Sequence, residues 1–332
     1  MHQPDFRVLC LTLAAVLSLN PASTTHAVGD DLNASRIQPW EKNPRYWQYK
    51  GEPLMLLGGS KTDHIFLIDN LEAHLDEMHS VGANYVRCTM SQREEKGLKP
   101  YKLLSNGKFD LDQWNDEYWE RFRNMLKWTA ERDIIVQIEV WDRFDYYAAH
   151  WQGSPWRPAN NVNYTVEQAA LADTYNEHPA NDKQPFFHTV PGMPRYQKKL
   201  DLIHRNQERF VDRMLSDSLE YDHVLYCMNN ETSTPPEWGQ YWIRFIKERA
   251  KSKGVQVCTS DMFDDAFGAI ARDGAGMVEV CQRLQKVLGH LAGSEHLEVR
   301  DAAIAHQRLA LKYAENGMVL EEDVERVWQA GG

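Results

Sequence analysis

The sequence predicts an α/β fold of the TIM-type (β/α) barrel class, with five strand–helix units legible and a helical C-terminal tail after them. Short apolar runs alternate with segments of helical periodicity, the order expected of a parallel sheet covered by helices. The runs are short and mostly apolar, with apolar residues at both alternating positions, which fits strands buried on both faces. Gly58-Gly59 is followed by no G-x-x-G spacing, which favours a barrel over a dinucleotide-binding sheet.

Each element follows from its residues. Pro53 to Gly59 reads as a buried first strand ending in a loop. Residues 69–80 read as a helix, with Leu71, Leu75 and Met78 at helical spacing and Gly82 as its stop. Asn84 to Met90 is the second strand. Residues 112–132 read as an aromatic helix carrying Trp114, Tyr118, Phe122, Met125 and Trp128, and Ile134 to Trp141 is the third strand. A long irregular stretch, 142–195, comes next. Residues 196–215 form an amphipathic helix through Leu200, Ile203, Phe210, Val211 and Met214. His223 to Met228, a helix over 238–251, and Val255 to Thr259 complete the series. Beyond Phe267 only Tyr313 and Trp328 are aromatic, and 278–291, 299–316 and 321–329 read as plain amphipathic helices.

The predicted organisation has three parts. Residues 1–27 form a secretory signal peptide, with Arg7, a short apolar run from Val8 to Leu19, and small residues before the break at Ala27. That run falls short of the roughly 20 apolar residues a spanning helix needs. Residues 28–267 form the barrel domain, and 268–332 the helical segment. The expected location is secreted or periplasmic, with no membrane association after signal cleavage. A net charge of -11 argues against nucleic acid as a partner. Cys88, Cys227, Cys258 and Cys281 show no C-x-x-C spacing, His74 and His79 lack ligand spacing, and no H-E-x-x-H occurs. No metal or cofactor is therefore expected. The absence of a G-x-S-x-G elbow argues against an esterase.

In a barrel, functional groups gather where the strands end. The residues found there are Asp63 and His64 after the first strand, and Arg87 within the second. Trp141 and Asp142 close the third, Asn230 and Glu231 follow the fourth, and Asp261 follows the fifth. Each also has a plainer reading: Arg87 in a salt bridge, Asn230 as a turn former, Glu231 as a solvated acid, Asp63 and His64 as helix-leading and surface residues.

Gly82-Ala83-Asn84-Tyr85-Val86-Arg87 resembles the G-x-N-x-V-R second strand of clan A glycoside hydrolases, the cellulase- and mannanase-like barrels. Asn230-Glu231 resembles the Asn-Glu pair that closes their fourth strand. The resemblance runs from about Trp47 to Asp265 and departs where Thr232 stands in place of the clan's usual proline. It implies a retaining hydrolase of poly- or oligosaccharides, with Glu231 as general acid/base, Asn230 on the sugar 2-hydroxyl and Arg87 ordering the nucleophile.

That chemistry needs two carboxyl groups, about 5–5.5 Å apart for retention and about 6.5–9.5 Å for inversion. One must hold its proton near neutral pH. The long loop after the third strand offers Tyr146, Tyr147, Trp151 and Trp156, whose rings either stack on sugar or pack the loop as its own core. The expected partner is a carbohydrate, contacted by Asn230, Arg87, Trp141, Asp142, Trp151, Trp156, Asp63, His64 and Asp261. The second carboxylate has several candidates: Glu139, Asp261, Asp264, Glu279 or a partner chain. Glu139 alternates with Gln137 and Trp141, which would aim it into the barrel. Two readings follow: an active hydrolase, or a truncated and inactive barrel that at most binds carbohydrate. Asn163-Tyr164-Thr165 is the more exposed of two glycosylation sequons.

Overall fold

The computed structural model describes residues 33–44, 46–91, 98–179, 182–230 and 234–262. The predicted signal peptide, Glu231, Asp264, Glu279, Cys281 and the C-terminal helices lie outside the described residues.

The described chain opens with a small antiparallel sheet, β1 (Gln38–Pro39), β2 (Trp47–Tyr49) and β3 (Glu52–Leu54). Helix α1 (Leu71–Ser80) leads to β4 (Tyr85–Thr89). A hairpin follows, β5 (Tyr101–Leu103) and β6 (Phe109–Trp114), then α2 (Asp116–Glu131) and β7 (Ile135–Asp142). Two short helices, α3 (Ala148–Gly153) and α4 (Val166–Ala169), sit in the excursion before α5 (Asp201–Ser218). Strand β8 (Val224–Asn230), α6 (Pro236–Ser252) and β9 (Thr259–Ser260) complete it. The central sheet has the order β4-β7-β8-β9, every neighbouring pair parallel. The architecture is thus α/β with a parallel sheet, and among the described residues that sheet is open rather than a closed barrel.

Successive side chains of a strand point to opposite faces. Val86 and Cys88, Val136 and Ile138, and Tyr226 pack into the main core with α1, α2 and α5. Tyr85, Ile135 and Leu225 point the other way and meet Tyr49 from the small sheet and Ile37 just before it, which together plug the N-terminal ends of the strands. Beside that plug, the His223 ring shares a 2.9 Å hydrogen bond with the Thr129 hydroxyl, and burial pushes its pKa down to about 3.

Three expectations change. The apolar run 53–59 is not a buried strand: Pro53 belongs to β3, Met55 and Leu57 are exposed, and only Gly58 bridges in parallel to Tyr85. A Cβ at Gly58 would sit 1.9 Å from the Tyr85 carbonyl oxygen, so glycine is what lets the two backbones touch. Asn84 clips this segment in place, accepting from Leu57 N at 2.7 Å and donating to Met55 O at 3.0 Å. Residues 109–114 form a strand rather than the start of α2, which begins after Asn115 caps the Glu117 N–H. The fifth strand shrinks to Thr259–Ser260.

Candidate functional site

The parallel register sets residues of neighbouring strands at one height, with Thr89 opposite Glu139 and Asp142 opposite Asn230. Arg87 approaches Glu139 fork to fork, Nε to Oε1 at 2.6 Å and Nη2 to Oε2 at 3.0 Å. Thr89 Oγ1 donates to Oε2 at 2.8 Å, and Gln137 Nε2 to Oε1 at 3.3 Å. Glu139 is fully buried, so a bare carboxylate there would be costly, and these four donors offset that cost. The hydrogen bond to Glu139 raises the Arg87 pKa further, keeping the guanidinium charged.

Arg87 also reaches outward. Its side chain is 36% exposed, and Nη2 donates to Asn230 Oδ1 at 2.7 Å. The Asn230 amide then donates from Nδ2 to Asp142 Oδ2 at 3.2 Å, while Asp142 Oδ1 accepts from Phe144 N at 2.9 Å. The amide is therefore fixed at both ends, oxygen toward the cation and nitrogen toward the anion. Glu231 is the next residue in the chain.

A second cluster faces α6. Asn229 Nδ2 donates to Asp261 Oδ1 at 2.8 Å, and Trp238 Nε1 donates to Asn229 Oδ1 at 2.9 Å. Asp261 lies so close to the helix that a Cβ on Gly239 would come within 1.9 Å of its Oδ2. Burial raises the Asp261 pKa. Asn229 and Asn230 thus serve two different neighbourhoods at the end of one strand.

Of the residues expected at the site, the structure brings Arg87, Asp142 and Asn230 into one network. Asp63 is exposed at the end of β4, where its carbonyl accepts from Thr89 N at 2.6 Å, and His64 is half-buried beside it. Asp261 belongs to the α6 cluster instead. The tryptophans are a correction. Trp141, Trp151 and Trp156 are all buried, and none offers a ring face to a cleft. Trp141 packs against Trp242 and Phe210 at 5.2 and 5.5 Å, Trp156 against Phe186 at 5.2 Å, and Trp151 donates from Nε1 to Ala172 O at 3.0 Å. Trp151 and Trp156 form the core of the long loop, and Trp141 joins β7 to the helices behind it.

The strict alternation expected for Glu139 holds toward Gln137 and fails toward Trp141, which turns to the helices. Asn163 is the more exposed of the two sequon asparagines, half-buried where Asn230 is buried. Its amide accepts from Leu111 N and donates to Asp110 and Asp112, which ties it to the hairpin. Thr89 and Gln137 were missed, although their place beside Glu139 follows from the strand register.

The described thiols offer no nucleophile: burial raises the pKa of Cys88, Cys227 and Cys258, Cys227 to about 11. Among the described residues no group of three His, Cys, Asp or Glu side chains is arranged to hold a metal ion. No described helix is long and apolar enough to cross a membrane.

A family model described as "Domain of unknown function (DUF6298)" matches residues 96–279. The chain belongs to the DUF6298 family. No curated protein matches it. Among solved structures, this DUF6298 chain is similar to a glycoside hydrolase family 5 mannosidase from Rhizomucor miehei. The identity is 12%, over 78% of this chain and 70% of that one, with a TM-score of 0.48. The same mannosidase in complex with mannosyl-fructose matches at 13% identity over 71% of this chain, with a TM-score of 0.45. In that comparison the chain spans 57% of the mannosidase's length. An endo-1,4-beta-mannanase from the same organism matches at 15% identity over 68% of this chain and 61% of that one, with a TM-score of 0.42.

Proposed function

We propose that this chain is an exported carbohydrate-active protein whose site is the mouth at the C-terminal ends of β4, β7 and β8. In this reading Glu231 is the general acid/base of glycosidic hydrolysis, and the chain takes a poly- or oligosaccharide. One observation carries it: Arg87 and Asp142 hold the Asn230 amide from both sides, directly before Glu231 in the chain. An amide fixed in this way is preorganised, since its orientation does not have to be bought from substrate binding energy. The expected organisation of the chain extends the proposal: an export signal over 1–27, a (β/α)-barrel domain over 28–267 whose strand–helix units run out after the fifth strand, and a helical segment over 268–332.

Release of reducing sugar from a panel of soluble glycans, with the wild type beside Glu231→Gln, tests the reading. Hydrolysis by the wild type and a loss of about 100-fold or more in the variant are expected, from the usual size of general acid–base catalysis. Equal rates in the two proteins would remove Glu231 from the mechanism.

A second reading is favoured by a different observation. Three strand-end carboxylates among the described residues are already engaged, Glu139 by four donors, Asp142 by at least two and Asp261 by Asn229, which leaves Asp63, exposed at the end of β4, as the one outside these networks. A site without a presented second carboxylate binds sugar and does not cleave it. Retention of a glycan without its hydrolysis would select this reading.

A further inference from the structure

The loop that follows β7 carries rings that the network above does not use. Residues Arg143–Tyr146 form a 3₁₀ turn, in which side chains three apart lie over one another. One pair, Arg143 and Tyr146, points down. Arg143 is buried over the Phe187 ring at 5.2 Å and paired with Asp182 at 3.1 Å, and Tyr146 stacks on Phe186 at 4.1 Å. The other pair, Phe144 and Tyr147, is half-buried with centroids 6.2 Å apart, close to the rise of one such turn.

A third ring closes the group. His178 is exposed and lies 5.9 Å from both Phe144 and Tyr147, each contact edge to face. The cluster is tied to the mouth by one carboxylate: Asp142 accepts from the Phe144 N–H with one oxygen and from Asn230 with the other. Just past Tyr147 the chain turns through Ala148, at φ 47, and Ala148 N donates to Tyr175 O at 2.6 Å. A non-glycine residue holds that backbone only where its surroundings fix it.

We propose that Phe144, Tyr147 and His178 form an aromatic platform that seats a pyranose ring of an oligosaccharide entering the mouth. A pyranose has an apolar C–H face and a rim of hydroxyls. The rings, inclined to one another, supply apolar surface for the first, and the exposed part of the Arg87 guanidinium, held in place by Glu139 and Asn230, supplies a polar partner for the second. That pairing of aromatic lining with a fixed polar group is what a small-molecule site requires. The inference rests on the carbohydrate reading above and names the residues that would confer it, in place of the buried Trp151 and Trp156.

The test is affinity electrophoresis in gels containing β-mannan, xylan, carboxymethyl cellulose or laminarin, followed by calorimetric titration with the hexasaccharide of whichever polymer retards the wild type. Phe144→Ala/Tyr147→Ala is expected to weaken binding roughly tenfold or more, with a lower melting temperature but a folded, cooperative transition, since each ring contact of this kind is modest and two are lost. Tyr147→Phe, which keeps the ring, should stay within about threefold of the wild type. Val162→Ala, at an exposed site on the hairpin side, should leave affinity unchanged. A polymer that retards the wild type and the double alanine variant equally would overturn the platform while leaving the carbohydrate reading intact. A wild type retarded by none of the polymers would overturn both.

Discussion

At the N-terminal ends of the central strands, Tyr85, Ile135 and Leu225 meet Ile37 and Tyr49 in an apolar cluster. Four residues further along the same three strands stand Thr89, Glu139 and Asn229, each buried and each engaged by polar partners. The first end gains stability from every side chain it buries. The second must satisfy each buried charge and amide to avoid losing stability, and replacement of such groups by apolar ones is often neutral or stabilising. Polar groups held at one end of the sheet, against that gradient, set that end apart from the frame, and it is the end to which the proposed function assigns the site.

The largest expected effect tests whether the polar end is truly balanced. Arg87→Ala leaves Glu139 fully buried without its bidentate partner, and removal of one member of such a pair costs about 3–5 kcal/mol. Urea denaturation at neutral pH measures it. A loss below about 1 kcal/mol would mean that Thr89 and Gln137 alone satisfy the carboxylate. At the opposite end, Leu225→Ala removes a buried side chain from the plug and should cost about 2–4 kcal/mol. Its glycan affinity should equal that of the wild type; a shift in affinity would show that the two ends are coupled and the contrast too simple.

How much of this contrast was legible in the sequence depends on what each feature requires. The runs at 84–90, 134–141 and 223–228 announce their strands because burial on both faces puts apolar residues at both alternating positions, with only a few polar side chains among them. The run at 53–59 looks the same by composition, yet Met55 and Leu57 are exposed, since composition does not say whether a second strand covers them. Residues 112–114 read as the start of the helix because Trp114 stands at helical spacing from Tyr118, which hides the strand before the Asn115 cap. Arg87, Asp142 and Asn230 were legible as strand-end polar residues. Their mutual bonds, and the pairing of Arg87 with Glu139, depend on register across strands some 50 and 140 positions apart, which no local pattern encodes. Trp151 and Trp156 illustrate the same limit: aromatics in a long loop serve a cleft or a private core equally well until the chain is folded.

The third prediction concerns protons at the plug. His223 has a folded-state pKa of about 3 against an ordinary 6.5, because burial disfavours its charged form. A depressed value in a base means that the unfolded chain takes up the proton first. The contribution of His223 is complete above 6.5 and is lost as pH falls from there toward 3. Between pH 6.5 and 4.5 the loss should be about 2–3 kcal/mol, at about 1.36 kcal/mol per pH unit. His223→Gln retains a hydrogen-bonding partner for Thr129 and should flatten that slope. An unchanged slope would assign acid sensitivity to other groups.

The smallest expected effect is at Asp261, and it separates the α6 cluster from the mouth. Burial raises its pKa, so the folded chain binds this proton more tightly than the unfolded chain does. Its contribution to stability is therefore fully present below the ordinary 3.8 and is lost as pH rises through the folded value. Asp261→Asn removes the charge and keeps an oxygen that can accept from Asn229 Nδ2. At neutral pH the variant should be as stable as the wild type or more so, by less than about 1 kcal/mol. Its glycan affinity should be unchanged, because Asp261 is turned toward Gly239 and Asn229 rather than toward Arg87 and Asn230. A variant that keeps its stability but loses glycan binding would move Asp261 into the mouth, and the boundary drawn between Asn229 and Asn230 would have to move with it.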